Sequence, residues 1–280
     1  MEPKFSILII LGILLAALGG VILAINIDER GNSQISENFN DDAAPTPTPS
    51  TAPTATNTNS NNDEPPKNEV TPANPPEEFE IKPEIVWGNQ TKKQVIFTFD
   101  GGAGTHSADL ILQTLKNNNI KATFFLTGRW AELNPALVKR IANEGHEIFN
   151  HTYSHPDLTT ISDAQISEEF RKSENIIRNL TGKSTKPFFR PPFGARNIHV
   201  RELAAKEGYQ SIYWTVDAFD WKEEGGFTDA QTKERIFSNL KPGTIFMMHI
   251  GDNITGRILD DVIRQIKSRG YEIVPLSKGI

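Results

Sequence analysis

The stretch Gln94-Val95-Ile96-Phe97-Thr98-Phe99-Asp100-Gly101-Gly102 decides the fold. Gln94 to Phe99 reads as a short apolar strand, and it runs directly into an acid and two glycines. A carboxylate at the C-terminal end of a strand, beside glycines that admit backbone or ligand, is where α/β domains place reactive groups. Working outward, the same grammar repeats. Strands are expected at 122–126 (ATFFL), 145–150, 186–190 (KPFFR), 210–216 (QSIYWTV), 244–248 (TIFMM) and 271–275. Helices are expected between them at 107–117, 134–144, 162–180, 198–207, 228–240 and 258–268. Pro135 suits the first position of its helix and Gly145 its end. Ser162-Asp163-Ala164-Gln165 and Thr228-Asp229-Ala230-Gln231 read as capping boxes. Alternating strand and helix predicts an α/β domain with a parallel sheet, open or closed into a barrel.

The polar clusters all fall just past strands: Asp100, His151 and His155, Arg190, Asp217 and Asp220, and His249. In a parallel barrel those ends share one face, so residues far apart in sequence converge. His151-Thr152-Tyr153-Ser154-His155 carries two imidazoles four residues apart, a spacing that lets both reach one ion. Pro156 pushes His155 away from the α region, which places the pair where a strand ends and a loop begins. A divalent metal held there, zinc first and cobalt or nickel as alternatives, lowers the pKa of a bound water to about 7. Asp100 is the candidate base and Arg190 the cation that keeps it ionised. His249 is the candidate acid, with Asp217 or Asp220 beside it to raise its pKa. Backbone N–H groups around Pro192-Phe193-Gly194 can face a developing oxyanion, and Trp221 offers a flat wall for a sugar ring. The plainer alternative makes Arg190 and Asp220 a buried ion pair, Trp221 and Phe193 core, and His249 an interior histidine. The parts together suit metal-assisted hydrolysis of an amide or ester.

The chain has no cysteine, which excludes disulfides, thiolate ligands and a cysteine nucleophile. Its net charge of −6 gives no ground for a nucleic-acid partner. Residues 5–25 form an uncharged apolar run that matches a bilayer core of about 30 Å. That run is longer than the apolar part of a cleavable signal. Residues 1–26 are therefore expected to be a cytoplasmic stub and transmembrane signal-anchor helix. With Lys4 on one side and Asp28, Glu29 and Arg30 on the other, the C-terminal bulk is expected outside a cell membrane, or secreted if the segment is cleaved. Residues 27–82 are rich in Asn, Pro, Thr and Ser and are expected to be a disordered linker. The folded domain is expected over 83–280, as a monomer.

Thr98–Gly102, the His151–His155 pair, Arg190–Gly194 (RPPFG), Asp217–Trp221 (DAFDW) and Met247–His249 together resemble the five ordered motifs of the NodB-homology polysaccharide deacetylases. The likeness spans about 92–280. It implies a distorted (β/α) barrel and removal of acetyl groups from polymers such as peptidoglycan, chitin or xylan. It implies Asp100 as base, His151 and His155 as metal ligands, and Arg190 as the holder of the base. Asp220 would tune the acid His249, while Phe193, Trp221 and Met247 would line the substrate groove. The wall-side address favours peptidoglycan, with N-acetyl groups as the target.

Three positions depart from the pattern. Gly101 stands where the family usually has a metal-binding aspartate, Phe193 where a tyrosine is usual and Met247 where a leucine is usual. In the reading taken first, Asp100 stays near the metal and a water, Asn150 or His106 completes the shell. A second reading makes Asp100 itself the ligand and leaves the base role unfilled. A third makes the domain a glycan-binding pseudoenzyme. Retention of Asp100, both histidines, Arg190, Asp220 and His249 favours the enzyme.

Overall fold

The computed structural model describes residues 25–27, 33–35 and 81–280. Two short strands, β1 (Ile25–Ile27) and β2 (Ser33–Ile35), pair antiparallel with Ile25 opposite Ile35. They belong to a compact unit of their own, and β2 falls inside the stretch expected to be linker. Residues 5–24 of the expected anchor helix and residues 28–32 and 36–80 of the expected linker lie outside the described residues, whereas Ile25 and Asn26, expected to end the helix, are strand. Among the described residues no helix is long and apolar enough to cross a membrane.

The second unit carries eight strands: β3 (Gln94–Gly101), β4 (Thr123–Leu126), β5 (Glu147–Asn150), β6 (Phe188–Phe189), β7 (Gln210–Ser211), β8 (Val216–Asp217), β9 (Ile245–His249) and β10 (Glu272–Val274). They form one parallel sheet in the order β7-β6-β5-β4-β3-β9-β8, with β10 beside the first half of β3. The helices are α1 (Ala108–Asn117), α2 (Gly128–Leu133), α3 (Pro135–Asn143), α4 (Asp163–Thr181), α5 (Ile198–Lys206), α6 (Asp229–Ser238), α7 (Asn253–Ser268) and α8 (Leu276–Gly279). Both capping boxes form, at Ser162/Gln165 for α4 and at Thr228/Gln231 for α6. Gly145 follows α3 with φ at +80°, a conformation that disfavours any side chain with a Cβ. Several elements differ from expectation. Helices α2, capped by Thr127, and α8 were not foreseen, and α7 starts at Asn253 rather than near 258.

The expected strand 210–216 is instead two short strands on opposite edges of the sheet. β7 pairs with β6, and β8 pairs with β9. Tyr213 and Trp214 cross between the edges, stacked on each other at 3.9 Å. Their backbone polar groups still need partners, and the entering segment supplies them. Ile85 bridges Ile212, Tyr213 N–H donates to Ile85 O, and Thr215 Oγ1 donates to Val86 O. This interrupted closure makes the barrel a distorted one.

Side-chain alternation on β3 sorts its residues between two environments. Val95, Phe97 and Phe99 join the layer between sheet and helices. Ile96 points the other way, into a core shared with Phe125, Phe149, Phe188, Ile212, Ile245 and Val274. Thr98 and Asp100 follow Ile96 on that inner face. Asp100 therefore stands above an apolar plug, at the strand end where the barrel opens.

Candidate active site

Register assembles the site. Across the sheet Asp100 lies opposite His249, Leu126 opposite Asn150, and Asn150 opposite Phe189. His151 and Arg190 are the next residues beyond those last two strands, so they emerge side by side.

Asp100 and Arg190 are buried, at 5% and 0% exposure. Arg190 Nη1 donates to Asp100 Oδ1 at 2.6 Å and to Thr98 Oγ1 at 2.9 Å, and Nη2 donates to Tyr213 O at 3.3 Å. The guanidinium lies 4.1 Å over the Phe125 ring. Arg190 thus pairs with Asp100, which sets aside the alternative pairing of Arg190 with Asp220. Burial alone raises the Asp100 carboxyl, but Arg190, His151 and His249 together hold it below its usual value. It is a carboxylate at neutral pH.

His151 Nδ1 lies 2.9 Å from the carbonyl oxygen of Arg190. A carbonyl only accepts, so Nδ1 carries the proton and Nε2 bears a lone pair. Burial pushes the His151 pKa down, despite the opposing pull of Asp100. His155 is pushed down to about 4, by burial and by His151. Both imidazoles are neutral at pH 7, as metal ligation requires. The two rings stand 4.8 Å apart, edge to face.

They do not meet through helical spacing, which corrects the sequence argument. The loop instead turns twice through the left-handed region, at Thr152 and His155, both with φ of 65°. That conformation is costly for a β-branched threonine and persists only when the surroundings fix it. Asn150 Oδ1 accepts from Thr152 N–H, and Glu169 accepts from the N–H groups of Tyr153 and Ser154. The Asn150 amide also donates to Phe170 O and Tyr209 Oη. Asn150 is therefore spent on holding the loop, and the expectation that it completes a metal shell is corrected. His106 is exposed and does not line the cleft.

Opposite, His249 Nδ1 is 2.9 Å from Asp220 Oδ1, and His249 N–H donates to Asp220 Oδ2 at 2.8 Å. Thr255 Oγ1 donates to the same Oδ2. Asp220 is fully buried, and Asp252 approaches His249 Nδ1 at 3.5 Å. Burial lowers the His249 pKa, but Asp220, with smaller help from Asp100 and Asp252, lifts it to about 9. The imidazole is charged at neutral pH and can give a proton from Nε2. Of the two acids offered by the sequence, Asp220 is the partner. Asp217 instead accepts from Phe219 N–H at 2.8 Å and from Trp221 Nε1 at 3.3 Å. Asp220, His249 and Asp252 offer ligand atoms within 4.8 Å of one another, a grouping able to hold a metal. Here the Asp220 oxygens are already occupied by three donors, a pattern that serves proton chemistry.

Between these walls lies a cleft of about 520 Å³. Phe193, Trp214, Trp221 and Met247 line it along with Asp100, His151, His155 and His249. Phe193 is 72% and Trp221 50% exposed, so neither is core. Gly194 N–H is spent on Pro191 O, which leaves Phe193 N–H as the backbone donor of that turn with no backbone partner. Trp214, Asp252 and Thr255 were missed from sequence. Asp252 had one usable signal, its position three residues after His249.

At Gly101 a side chain would aim away from the cleft. A Cβ built there meets Leu126 Cδ2 at 2.6 Å and Ile250 Cγ2 at 3.3 Å. At Gly102 it would meet only Thr127 Cγ2 at 3.4 Å and His155 Cδ2 at 3.8 Å.

A family model described as polysaccharide deacetylase matches residues 88–212. A peptidoglycan-N-acetylglucosamine deacetylase of Bacillus cereus is 38% identical over 193 residues, covering 68% of this chain and 69% of that protein. The structure of Bacillus subtilis PdaA, a family 4 carbohydrate esterase, superposes with a TM-score of 0.66 at 31% identity, covering 70% of this chain and 83% of the other. A CE4 family pseudoenzyme from Bacillus anthracis superposes equally, with a TM-score of 0.66 at 32% identity, covering 70% of this chain and 68% of the other. The parallel (β/α) half-barrel, the polar groups gathered at its strand ends and these matches lead to one conclusion: the chain belongs to the polysaccharide deacetylase family.

Proposed function

We propose that this protein is a metal-dependent deacetylase that hydrolyses N-acetyl groups of amino-sugar polymers, peptidoglycan first among them. The observation that carries the reading is the opposition of two walls. Neutral His151 and His155 beside ionised Asp100 face a charged His249 across one cleft. Lone-pair nitrogens next to a buried carboxylate are the donor set a borderline divalent ion takes, zinc above all. Such an ion, when bound, polarises the amide carbonyl and supplies a water of lowered pKa. The protein's own groups do the rest. Phe193 N–H, without a backbone partner among the described residues, donates to the carbonyl oxygen in this reading. His249 Nε2 gives a proton to the departing amine, and Asp220 holds the imidazole's orientation and charge. Exposed Trp221 and Phe193 are flat apolar surfaces for sugar rings. The family pattern gives Asp100 the base role.

The test is acetate release from peptidoglycan, chitin oligomers and acetylxylan, with zinc, cobalt or nickel supplied. Wild type is expected to release acetate from peptidoglycan, and His151→Ala or chelator treatment to abolish it. No release from any polymer with any of the three metals would sink the enzyme reading. Gly101 and the pseudoenzyme relative favour a second reading, glycan binding without chemistry. That reading predicts retention on insoluble peptidoglycan with no acetate.

The uncharged run at 5–25, with the basic Lys4 before it, supports a single-pass anchor that holds the domain outside the cell membrane, with 27–82 as tether. Protease added to intact cells is expected to degrade the domain. Full protection there, with degradation after lysis, would place it inside.

A further inference from the structure

The ligand wall has an unusual feature beyond its missing aspartate. Asp100 Oδ2 and His151 Nε2 are 3.7 Å apart, and both side chains are more than nine-tenths buried. The other atom of each group is already committed. Asp100 Oδ1 takes the Arg190 guanidinium at 2.6 Å, and His151 Nδ1–H is given to Arg190 O at 2.9 Å. What remains is two lone-pair atoms facing each other with no proton between them. Nδ1–H is given to a carbonyl oxygen, which leaves Nε2 with its lone pair turned to Oδ2. Two acceptors facing each other repel unless something positive lies between them. The separation leaves room for one cation at about 2.0–2.2 Å from each. A histidine that gives its other N–H to a backbone carbonyl is also the usual arrangement of a ligand imidazole.

We propose that Asp100 is itself the third protein ligand of the metal, through Oδ2, in place of the carboxylate that Gly101 cannot supply. This deepens the function proposed above and rests on it. Arg190 is what makes the exchange possible, because it anchors Oδ1 and leaves Oδ2 turned to His151. His155, edge to face with His151 at 4.8 Å, is the remaining donor. Gly101, the next residue of β3, has no side chain to take the role. The consequence is a trade. A carboxylate with one oxygen on a guanidinium and the other on a cation is a poor base, so the chemistry leans on the acid His249.

The test reads metal and not turnover. Zinc is titrated against a competing chelator into the full-length protein, wild type and Asp100→Asn. Loss of an outer partner of a metal site costs about 10–100-fold in affinity. Loss of a ligand is expected to exceed that, so a fall of more than about 100-fold is expected and a smaller fall overturns the proposal. Asp100→Asn leaves a buried guanidinium unpaired and can unfold the domain, so a second measurement stands apart from it. In a crystal structure of zinc-loaded wild type, the anomalous signal is expected within about 2.0–2.2 Å of Asp100 Oδ2. An ion more than about 3 Å away overturns the proposal and leaves a metal-dependent deacetylase intact. Failure of wild type to take up zinc at all would overturn both.

Discussion

The two walls of the cleft are built on opposite plans. On the His249 wall each polar group already has its partner. Asp220 accepts from the His249 backbone and ring and from Thr255, and the wall is complete as it stands. On the His151 wall Arg190 anchors Asp100 and His151 while its own Nε stays buried without a partner, and the atoms facing the cleft are bare lone pairs. The first wall stores a proton, and the second presents unpaired donor atoms to the cleft. The difference teaches where this chain has room to vary. Removing a carboxylate from the closed network leaves donors stranded, whereas Gly101 takes no part in the contacts that anchor the open wall.

The comparison can be broken from either side. The largest expected effect is from His249→Ala, which removes the acid while leaving the metal wall untouched. Acetate release is expected to fall by about 10²–10⁴-fold, with zinc affinity unchanged. A parallel loss of zinc would show that the walls are not independent. Next comes Asp220→Asn, which keeps the shape but removes the charge that lifts His249. The imidazole titration, followed by NMR, is expected to fall from about 9 towards its ordinary value. An unmoved titration would transfer the tuning role to Asp252.

The walls also predict opposite pH dependences of stability in the metal-free protein. The folded pKa of His249 is raised to about 9. Its contribution is full below about 6.5 and is lost as pH rises through 9. His155 is depressed to about 4. The unfolded chain takes up that proton first, so stability falls as pH drops from about 6.5 towards 4. His146, also buried and depressed to about 4, adds in the same direction. Thermal unfolding is expected to be most resistant near pH 6.5 and to weaken on both sides. A maximum above pH 9 would contradict the raised His249, and a maximum below pH 4 the depressed histidines.

Smaller still is Thr255→Val, which deletes one donor to Asp220. A cost of about 1–3 kcal/mol in denaturant unfolding is expected, since the acceptor stays buried. The smallest effect belongs to Trp221→Phe. The half-exposed wall stays aromatic, and only the 3.3 Å bond to Asp217 is lost. A modest rise in KM with little change in kcat is expected, and a collapse of kcat would place Trp221 in the chemistry.

The chain alone determined what depends on local pattern. Apolar runs separated by amphipathic segments specify parallel strands and covering helices. The rule that such sheets present their strand ends on one face then located Asp100, His151, Arg190, Asp220 and His249 together. Both capping boxes were legible because a cap is a contact between residues three apart. Tertiary structure alone decided the pairings. Arg190 reaches Asp100 across 90 positions, and His249 selects Asp220 over Asp217 because register puts Asp217 beside Met247, two residues short of the strand end. It alone showed the break at Tyr213 and Trp214, where a strand-like sequence had to change edges. It also turned Asn150 from a candidate ligand into the brace of the His151–His155 loop. Pattern fixes which face a side chain occupies, but the partner it meets there is set by strand register between distant segments, and no local signal carries that.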